Sequence, residues 1–209
     1  MSVITNWGDK LSMMTQARTI AIFMLTLFTS LFAGCGYNTL QAMDEKVIAA
    51  WSEVQNQYQR RFDLVPNLVE TVKGFARQEE TVFREVTEAR SRVGQIQVSK
   101  ELISDPKAFA QFQEAQAQLS GALSRLLLVV ERYPELKSNQ NFLTLQAQLE
   151  GTENRIAVAR RDYIQAVQEY NFAIRAFPTN LTAKYLLGLK VRENFAASAG
   201  VQEAPKVKF

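Results

Sequence analysis

The stretch FLTLQAQLEGTENRIAVARRDYIQAVQEYNFAIRAF, residues 142–177, decides the fold. It contains a series of mostly apolar residues, here called the seam, that recur at spacings of three and four throughout. This spacing is typical of a helix with one apolar face. The seam positions are Phe142, Leu145, Leu149, Thr152, Ile156, Ala159, Tyr163, Ala166, Tyr170, Ala173 and Phe177. About five heptads at 1.5 Å per residue give a rod of roughly 50 Å. A rod of this length predicts an elongated antiparallel helical bundle.

Three earlier segments show the same spacing, and each is expected to form one long helix. Their predicted ranges are 38–61, 63–96 and 104–133. Asp63 would cap the second helix with Pro66 in its first turn, and only Glu79 interrupts the apolar seam of that helix. Ser104-Asp105-Pro106 predicts the start of the third helix, because a capping side chain precedes a proline. The fold class is therefore all-α, with about four long helices in coiled-coil-like packing.

An apolar run, TIAIFMLTLFTSLFAGCG, covers residues 19–36, and the chain carries no charge between Arg18 and Asp44. Its 18 residues approach the ~20 of a spanning helix and exceed the roughly 7 to 15 of a signal-peptide core. The sequence LFAGC, residues 31–35, resembles a bacterial lipobox. Two interpretations remain: a cleaved lipoprotein with an acylated Cys35, or an uncleaved membrane helix in which that thiol is inert.

The charges flanking the run predict the side of the membrane. Lys10 and Arg18 precede it, so the positive-inside tendency leaves the following domain outside the cytoplasm. We expect a signal or anchor segment at residues 1–36, a helical domain at 37–177 and a tail at 178–209. The tail has five basic and two acidic residues, so it either folds back on the helices or binds a membrane surface or partner.

The composition excludes several kinds of chemistry. The 209 residues include no histidine and one cysteine, which removes His-activated nucleophiles, His-ligated metals and disulfide frameworks. A formal charge of +3 is too small to favour a nucleic-acid partner. The string Ser104-Asp105-Pro106-Lys107 matches an S-x-x-K motif, but its companion motifs are absent and we interpret it as a helix start. We therefore predict no enzyme, no metal site and no cofactor.

Seven basic and amide side chains form the candidate site. They are Arg60, Arg61, Lys73, Asn154, Arg155, Arg160 and Asn171. Guanidinium and amide groups fixed on helices either join those helices or bind a carboxylate or phosphate. Arg60, Arg61 and Lys73 would form one wall of a small site for an anionic ligand at one end of the bundle, and the other four residues would form the opposite wall.

Long ordered segments carry a family resemblance. They are GCGYNTL, AAWSEVQNQYQRRFDLVPNLVETVKGFA and YPELKSNQNFLTLQAQLEGTENRIAVARRDYIQAVQEYNFAIRAFPTNL, and the ending APKVKF agrees with them. From Cys35 onward the chain resembles the LemA family. The resemblance implies a bacterial envelope protein with an N-terminal membrane segment, a helical bundle and no established enzymatic activity. It also implies membrane association, which in some members concerns specialised membrane compartments.

Two functions follow from these observations. The first is a membrane-anchored scaffold outside the cytoplasm that self-associates or presents a helix face to other envelope proteins. The alternative is an anionic-ligand- or lipid-binding module that uses the Arg/Asn cluster or the basic tail. The expected partners are the membrane, further copies of the chain and envelope proteins, and not nucleic acid.

Overall fold

The computed structural model describes the backbone of residues 5–196 and the side chains of residues 13–24, 26 and 36–196. Within this part the regular structure is helical and contains no strand, which confirms the all-α prediction. Cys35 and the ending 197–209 lie outside the described side chains, as does much of the run 19–36. Among the described residues, no helix has a segment long and apolar enough to cross a membrane.

Five helices organise residues 5–196. They are α1 (Thr5–Phe75), α2 (Glu80–Gly94), α3 (Pro106–Val130), α4 (Pro134–Lys137) and α5 (Gln140–Ala173). A 3₁₀ turn, Leu102–Ser104, precedes α3, and a short helix, Thr179–Leu181, leads into a π-helical turn, Thr182–Leu186. At 1.5 Å per residue the 71-residue α1 measures roughly 105 Å.

The predicted break between Arg61 and Asp63 is wrong, because α1 continues through Pro66 to Phe75. A proline inside a helix leaves the carbonyl four residues earlier without its usual donor. That carbonyl belongs to Phe62, and Arg90 of α2 donates to it from Nε at 3.2 Å. A tertiary contact thus offsets the local signal that predicted a helix end.

The chain instead turns at residues 76–79, where Glu79 interrupts the predicted seam. Its carboxylate accepts a hydrogen bond from the Tyr133 hydroxyl at 3.2 Å and pairs with Arg132 at 3.1 Å. Both partners follow the end of α3. Glu79, the polar residue that interrupts the predicted apolar seam, therefore lies at the corner between α1 and α2.

Two helix pairs bury the core. Lys46 of α1 pairs with Glu169 of α5, whereas Arg61 pairs with Glu153, so α5 runs opposite to α1. In the same way α3 runs opposite to α2, because Arg125 bonds Glu85 and Gln118 bonds Arg92. One apolar cluster surrounds Trp51, and a second lies further along α1, around Leu126 of α3.

Side-chain caps fix two of the helix starts. Asp105 accepts hydrogen bonds from the main-chain nitrogens of Lys107 and Ala108, and Pro106 is the first helical residue, which confirms the predicted start of α3. Asn139 caps α5 in the same manner. These caps satisfy main-chain donors that have no partner within the helix.

Candidate functional site

An aromatic cluster surrounds Trp51 of α1. The Trp51 ring lies between 5.3 and 6.4 Å, centroid to centroid, from the rings of Phe109, Phe112, Tyr163 and Phe195. Tilted and edge-on contacts of this kind fix ring orientations. Since these rings come from α1, α3, α5 and the tail, the cluster holds four parts of the chain in one arrangement.

Arg61 lies one turn beyond Tyr58 and is buried, with 1% of its surface exposed. Its Nη1 donates to Ser120 at 2.7 Å and to Glu153 at 2.8 Å, and its Nη2 donates to the Gln116 side chain at 2.5 Å. The guanidinium therefore joins α1 to both α3 and α5. A buried charge with this many partners is held in one orientation.

The signal that could have revealed this burial is the register of the apolar seam. Arg61 follows Tyr58 and precedes Val65 at spacings of three and four, so it occupies a core position of α1. Gln116 likewise interrupts the apolar seam of α3 and is buried. The polar interruptions of two seams thus meet and hydrogen-bond each other. Sequence reasoning missed Gln116, Ser120 and Glu153 because it treated each segment separately.

A cleft of about 490 Å³ opens over this network, and the predicted residue Arg160 lines it together with Arg61. The Arg160 guanidinium lies 4.4 Å from the Phe195 ring centroid. Burial raises the pKa of the Tyr58 hydroxyl in the cleft, although the positive charges of Arg160 and Arg61 oppose that rise. Glu114 and Glu153 also line the cleft, so its formal charges cancel. The cleft is therefore better suited to joining helices than to attracting an anion.

A second, open groove holds two other predicted residues, Arg60 and Arg155, and has a volume of about 510 Å³. Arg155 is held by Gln57 at 3.1 Å and Thr152 at 3.0 Å. The other lining residues are Gln140, Leu143, Thr144, Ala147, Gln148 and Gly151. Because this lining has two cations and no carboxylate, an anion would be attracted here without a competing negative charge.

Two further predicted residues, Lys73 and Asn154, line neither the cleft nor the groove of Arg60 and Arg155. Lys73 lies toward the end of α1, paired with Glu70 at 2.9 Å, and lines a different groove together with Arg77 and Arg84. Asn154 is an exposed residue of α5. The seven candidates are thus spread over several surfaces, and a single anionic site that contains all of them is not formed. The expected wall of Arg60, Arg61 and Lys73 is not formed either, because Arg61 points into the core.

Asn171 binds the tail. Its amide nitrogen donates to the main-chain oxygen of Arg192 at 2.8 Å, and its amide oxygen accepts from the main-chain nitrogen of Arg192 at 2.9 Å. The hydroxyls of Tyr163 and Tyr170 donate to the main-chain oxygens of Glu193 and Lys190. The tail is therefore fastened along α5 through its backbone.

The Arg192 side chain fastens the same segment to two further elements. It pairs with Asp44 of α1 at 2.8 Å and donates to the Ser104 hydroxyl. The hydroxyl of the S-x-x-K string is therefore a partner of Arg192, while Asp105 caps α3. We term the contacts of Asn171, Tyr163, Tyr170, Asp44 and Ser104 with residues 190–193 the tail clamp.

Comparison with known proteins shows to which family the chain belongs. The sequence model of the LemA family matches residues 50–209. The chain belongs to the LemA family. The matched range includes Asn171 and residues 190–193 of the tail clamp.

Three relatives show which individual proteins this LemA-family chain is similar to. It is 29% identical over 199 residues to Magnetosome protein MamQ 2 of Paramagnetospirillum magneticum, a match that covers 88% of the chain and 71% of that protein. It is 28% identical to Magnetosome protein MamQ of Magnetospirillum gryphiswaldense, over 76% of the chain and 64% of that protein. Protein LemA of Metamycoplasma hominis is 25% identical, over 80% of the chain and 73% of its own length.

Proposed function

We propose that this LemA-family chain is a membrane-associated scaffold of the bacterial envelope. The apolar run 19–36 would anchor it, either through an acylated Cys35 or as an uncleaved helix. The helices beyond Gly36 would form an elongated antiparallel bundle outside the cytoplasm, on the side opposite Lys10 and Arg18. The observation that carries the proposal is α1, which is one uninterrupted helix from Thr5 to Phe75.

Exposed apolar side chains support the membrane assignment. Ile20, Ile22, Phe23 and Met24 are described within the run, and all four are exposed. Exposing contiguous apolar side chains to water is unfavourable, whereas lipid would cover them. Because α1 is continuous, an uncleaved anchor in its first half would run without a break into the packed helices.

Three separate exposed apolar side chains of α5 would be the contact positions of the scaffold. α5 leaves Leu143, Val158 and Phe172 exposed along its length. Their spacings of 15 and 14 residues place them on one side of α5, where a second copy or another envelope protein would contact them. No catalytic step belongs to the proposal, since Ser104 bonds Arg192 and Asp105 caps α3.

Crosslinking in intact membranes tests the scaffold role. A photo-reactive residue at Val158 should give crosslinked products, whereas the same residue at Thr81, an exposed position on α2, should give far fewer. A chain that yields no product from Val158 and is monomeric in mild detergent would contradict the scaffold. The same crosslinking experiment on the LemA and MamQ relatives would show whether the corresponding face crosslinks in them.

The anchor and its side need separate measurements. Mass spectrometry of the mature N-terminus should find either a diacylglyceryl Cys35 or an uncleaved chain, and both forms should resist alkaline extraction from membranes. A Leu128→Cys chain should react with a membrane-impermeant maleimide in cells whose inner membrane is intact. Reaction only after that membrane is permeabilised would contradict the extracytoplasmic side.

The second candidate is an anionic-ligand-binding module, which the groove of Arg60 and Arg155 favours through its two cations. The basic tail offers lipid headgroups a further contact in this alternative. Inorganic phosphate should raise the melting temperature of the chain. Arg155→Gln also loses the hydrogen bonds to Gln57 and Thr152, so its own melting temperature without phosphate is the reference, and phosphate should not raise it. Arg161→Gln, an exposed change on the same helix, is the matched control and should retain the rise with phosphate. A phosphate effect unchanged in Arg155→Gln would dismiss this candidate.

A further inference from the structure

The segment after α5 exposes an unusual concentration of large apolar side chains. We call residues 177–191 the foot. The exposed fractions are 79% for Phe177, 50% for Leu181, 74% for Tyr185 and 69% for Leu186. An isolated exposed apolar residue needs no explanation, but four within ten residues form a patch of the kind that marks a binding surface.

The backbone of the foot is fixed against the packed helices, so these side chains project from a firm base. Ala183 is buried in the Trp51 cluster, where Leu187 and Leu189 also pack. The hydroxyl of Tyr170 holds the Lys190 main-chain oxygen at 3.0 Å. The exposure of Phe177, Tyr185 and Leu186 is therefore a property of the fold.

The foot lies directly beside the end of the apolar run. Gly36 is the last residue of that run, and a β-carbon added to it would come within 3.0 Å of Cγ2 of Thr179. The glycine permits this approach because it has no side chain. Any membrane that holds residues 19–36 therefore has its surface close to the foot.

The charges of the foot suit the headgroups of anionic lipids. Residues 177–191 include two basic residues, Lys184 and Lys190, and no acidic residue. The Lys184 ammonium lies 5.3 Å from the Tyr185 ring centroid. Asp44, which pairs with Arg192, is eight residues beyond Gly36 and hence about 12 Å further along α1.

We propose that the foot is a membrane-interface contact, in which Phe177, Leu181, Tyr185 and Leu186 enter the headgroup region and the lysines bind anionic lipids. Tyrosine and phenylalanine beside lysine suit this region, because the rings are buried while the charges stay hydrated. This inference rests on the proposed anchoring by residues 19–36 and adds a second attachment point. Two attachments would fix the tilt of the helices on the bilayer, which one helix alone leaves free.

The depth of two matched positions tests the foot in the full-length chain. Leu186→Cys and Leu128→Cys replace leucines that are each 69% exposed, but Leu128 lies in α3, away from the foot. Both chains are labelled with a nitroxide and reconstituted into phosphatidylcholine vesicles with and without phosphatidylglycerol. Collisions with oxygen and with a water-soluble nickel complex report depth, and the labelled wild-type chain corrects for any signal from Cys35.

We expect the label at position 186 to lose its nickel accessibility and to gain oxygen collisions, while the label at position 128 remains in water. The loss should be greater with phosphatidylglycerol, and Lys184→Gln together with Lys190→Gln should remove that difference. Equal nickel accessibility at both positions in a chain that floats with the vesicles would overturn the foot and leave the anchor intact. A chain that does not float would overturn both proposals. Shielding at 186 from both reagents would indicate a protein contact and also overturn the foot.

Discussion

Arg90 of α2 donates a hydrogen bond from Nε to the main-chain oxygen of Phe62 in α1, at 3.2 Å, and its guanidinium carbon lies 3.8 Å from the centroid of the Phe62 ring. That oxygen is the one for which Pro66 has no N–H to offer. A side chain from a neighbouring helix therefore replaces the donor that the proline removes. The arrangement explains how α1 can pass through a proline and stay continuous.

The Arg90–Phe62 contact predicts a dependence between two substitutions. Arg90→Met should lower the free energy of unfolding by about 1 to 3 kcal/mol, because it leaves a partly buried carbonyl without a donor. In a Pro66→Ala background the same change should cost less, since residue 66 then has an N–H for that carbonyl. Urea unfolding of the four chains measures the difference as a coupling energy.

A control separates this effect from a general loss of charge on α2. Arg84 is an exposed arginine of the same helix, 3.8 Å from Glu88, and Arg84→Met should cost less than about 0.5 kcal/mol. Equal costs of Arg90→Met with and without Pro66 would show that the carbonyl contact is not what stabilises the helix.

The apolar spacing predicted the all-α class and the approximate ranges of the later helices, because periodicity depends on burial along one face. It failed where a tertiary contact opposed a local signal. Asp63 and Pro66 read as a helix start, yet Arg90, 24 residues beyond Pro66, offsets the cost of the proline. The position of Glu79 marked the true corner, but a single polar interruption does not distinguish a turn from a buried polar contact.

The candidate site shows the same limit. The spacing contained the evidence that Arg61 and Gln116 are core residues, because both occupy seam positions. What it could not contain is which seams face each other, and hence that these two side chains meet. Asn171 was singled out as a polar residue of α5, but its partner is the main chain of Arg192, which has no side-chain signature in the sequence.

The buried guanidinium of Arg61 predicts a large difference between two adjacent arginines. Arg61→Met should lower the free energy of unfolding by about 2 to 3 kcal/mol, because the buried Gln116 loses its charged partner. The exposed Arg60→Met should change it by less than about 0.5 kcal/mol. Chemical unfolding of the two chains makes the comparison, with circular dichroism to establish that both are helical. Similar costs for both would contradict a joining role for Arg61.

Three buried tyrosines predict a loss of stability in alkali. Burial raises the pKa of Tyr163, Tyr58 and Tyr170 in the folded chain. The unfolded chain releases these protons near its ordinary pKa of about 10, while the folded chain retains them. The contribution of the three protonated tyrosines to the free energy of unfolding is therefore complete below about pH 10. It is lost as the pH rises through their pKa values in the folded chain.

Urea unfolding between about pH 8 and about pH 11 should show this decline. Tyr163→Phe should make the decline shallower, although its stability at neutral pH should also fall because the hydrogen bond to Glu193 is lost. Tyr185→Phe removes an exposed tyrosine and should leave the slope unchanged. An unaltered slope in Tyr163→Phe would remove this tyrosine from the explanation.

The tail clamp predicts that one amide governs the opening of residues 190–193. Asn171→Ala removes both hydrogen bonds to the Arg192 main chain, so the amides of this segment should exchange with deuterium about tenfold or more faster, which corresponds to a cost of about 1.4 kcal/mol or more. Asn154→Ala changes the same residue type at an exposed position of α5 and should leave that exchange unaltered. Arg192→Met should act in the same direction as Asn171→Ala, since it separates the segment from Asp44 and Ser104. Faster exchange throughout α5 in Asn171→Ala would show that the amide stabilises the helix itself, whereas faster exchange confined to the tail identifies Asn171 as one of the residues that fasten it.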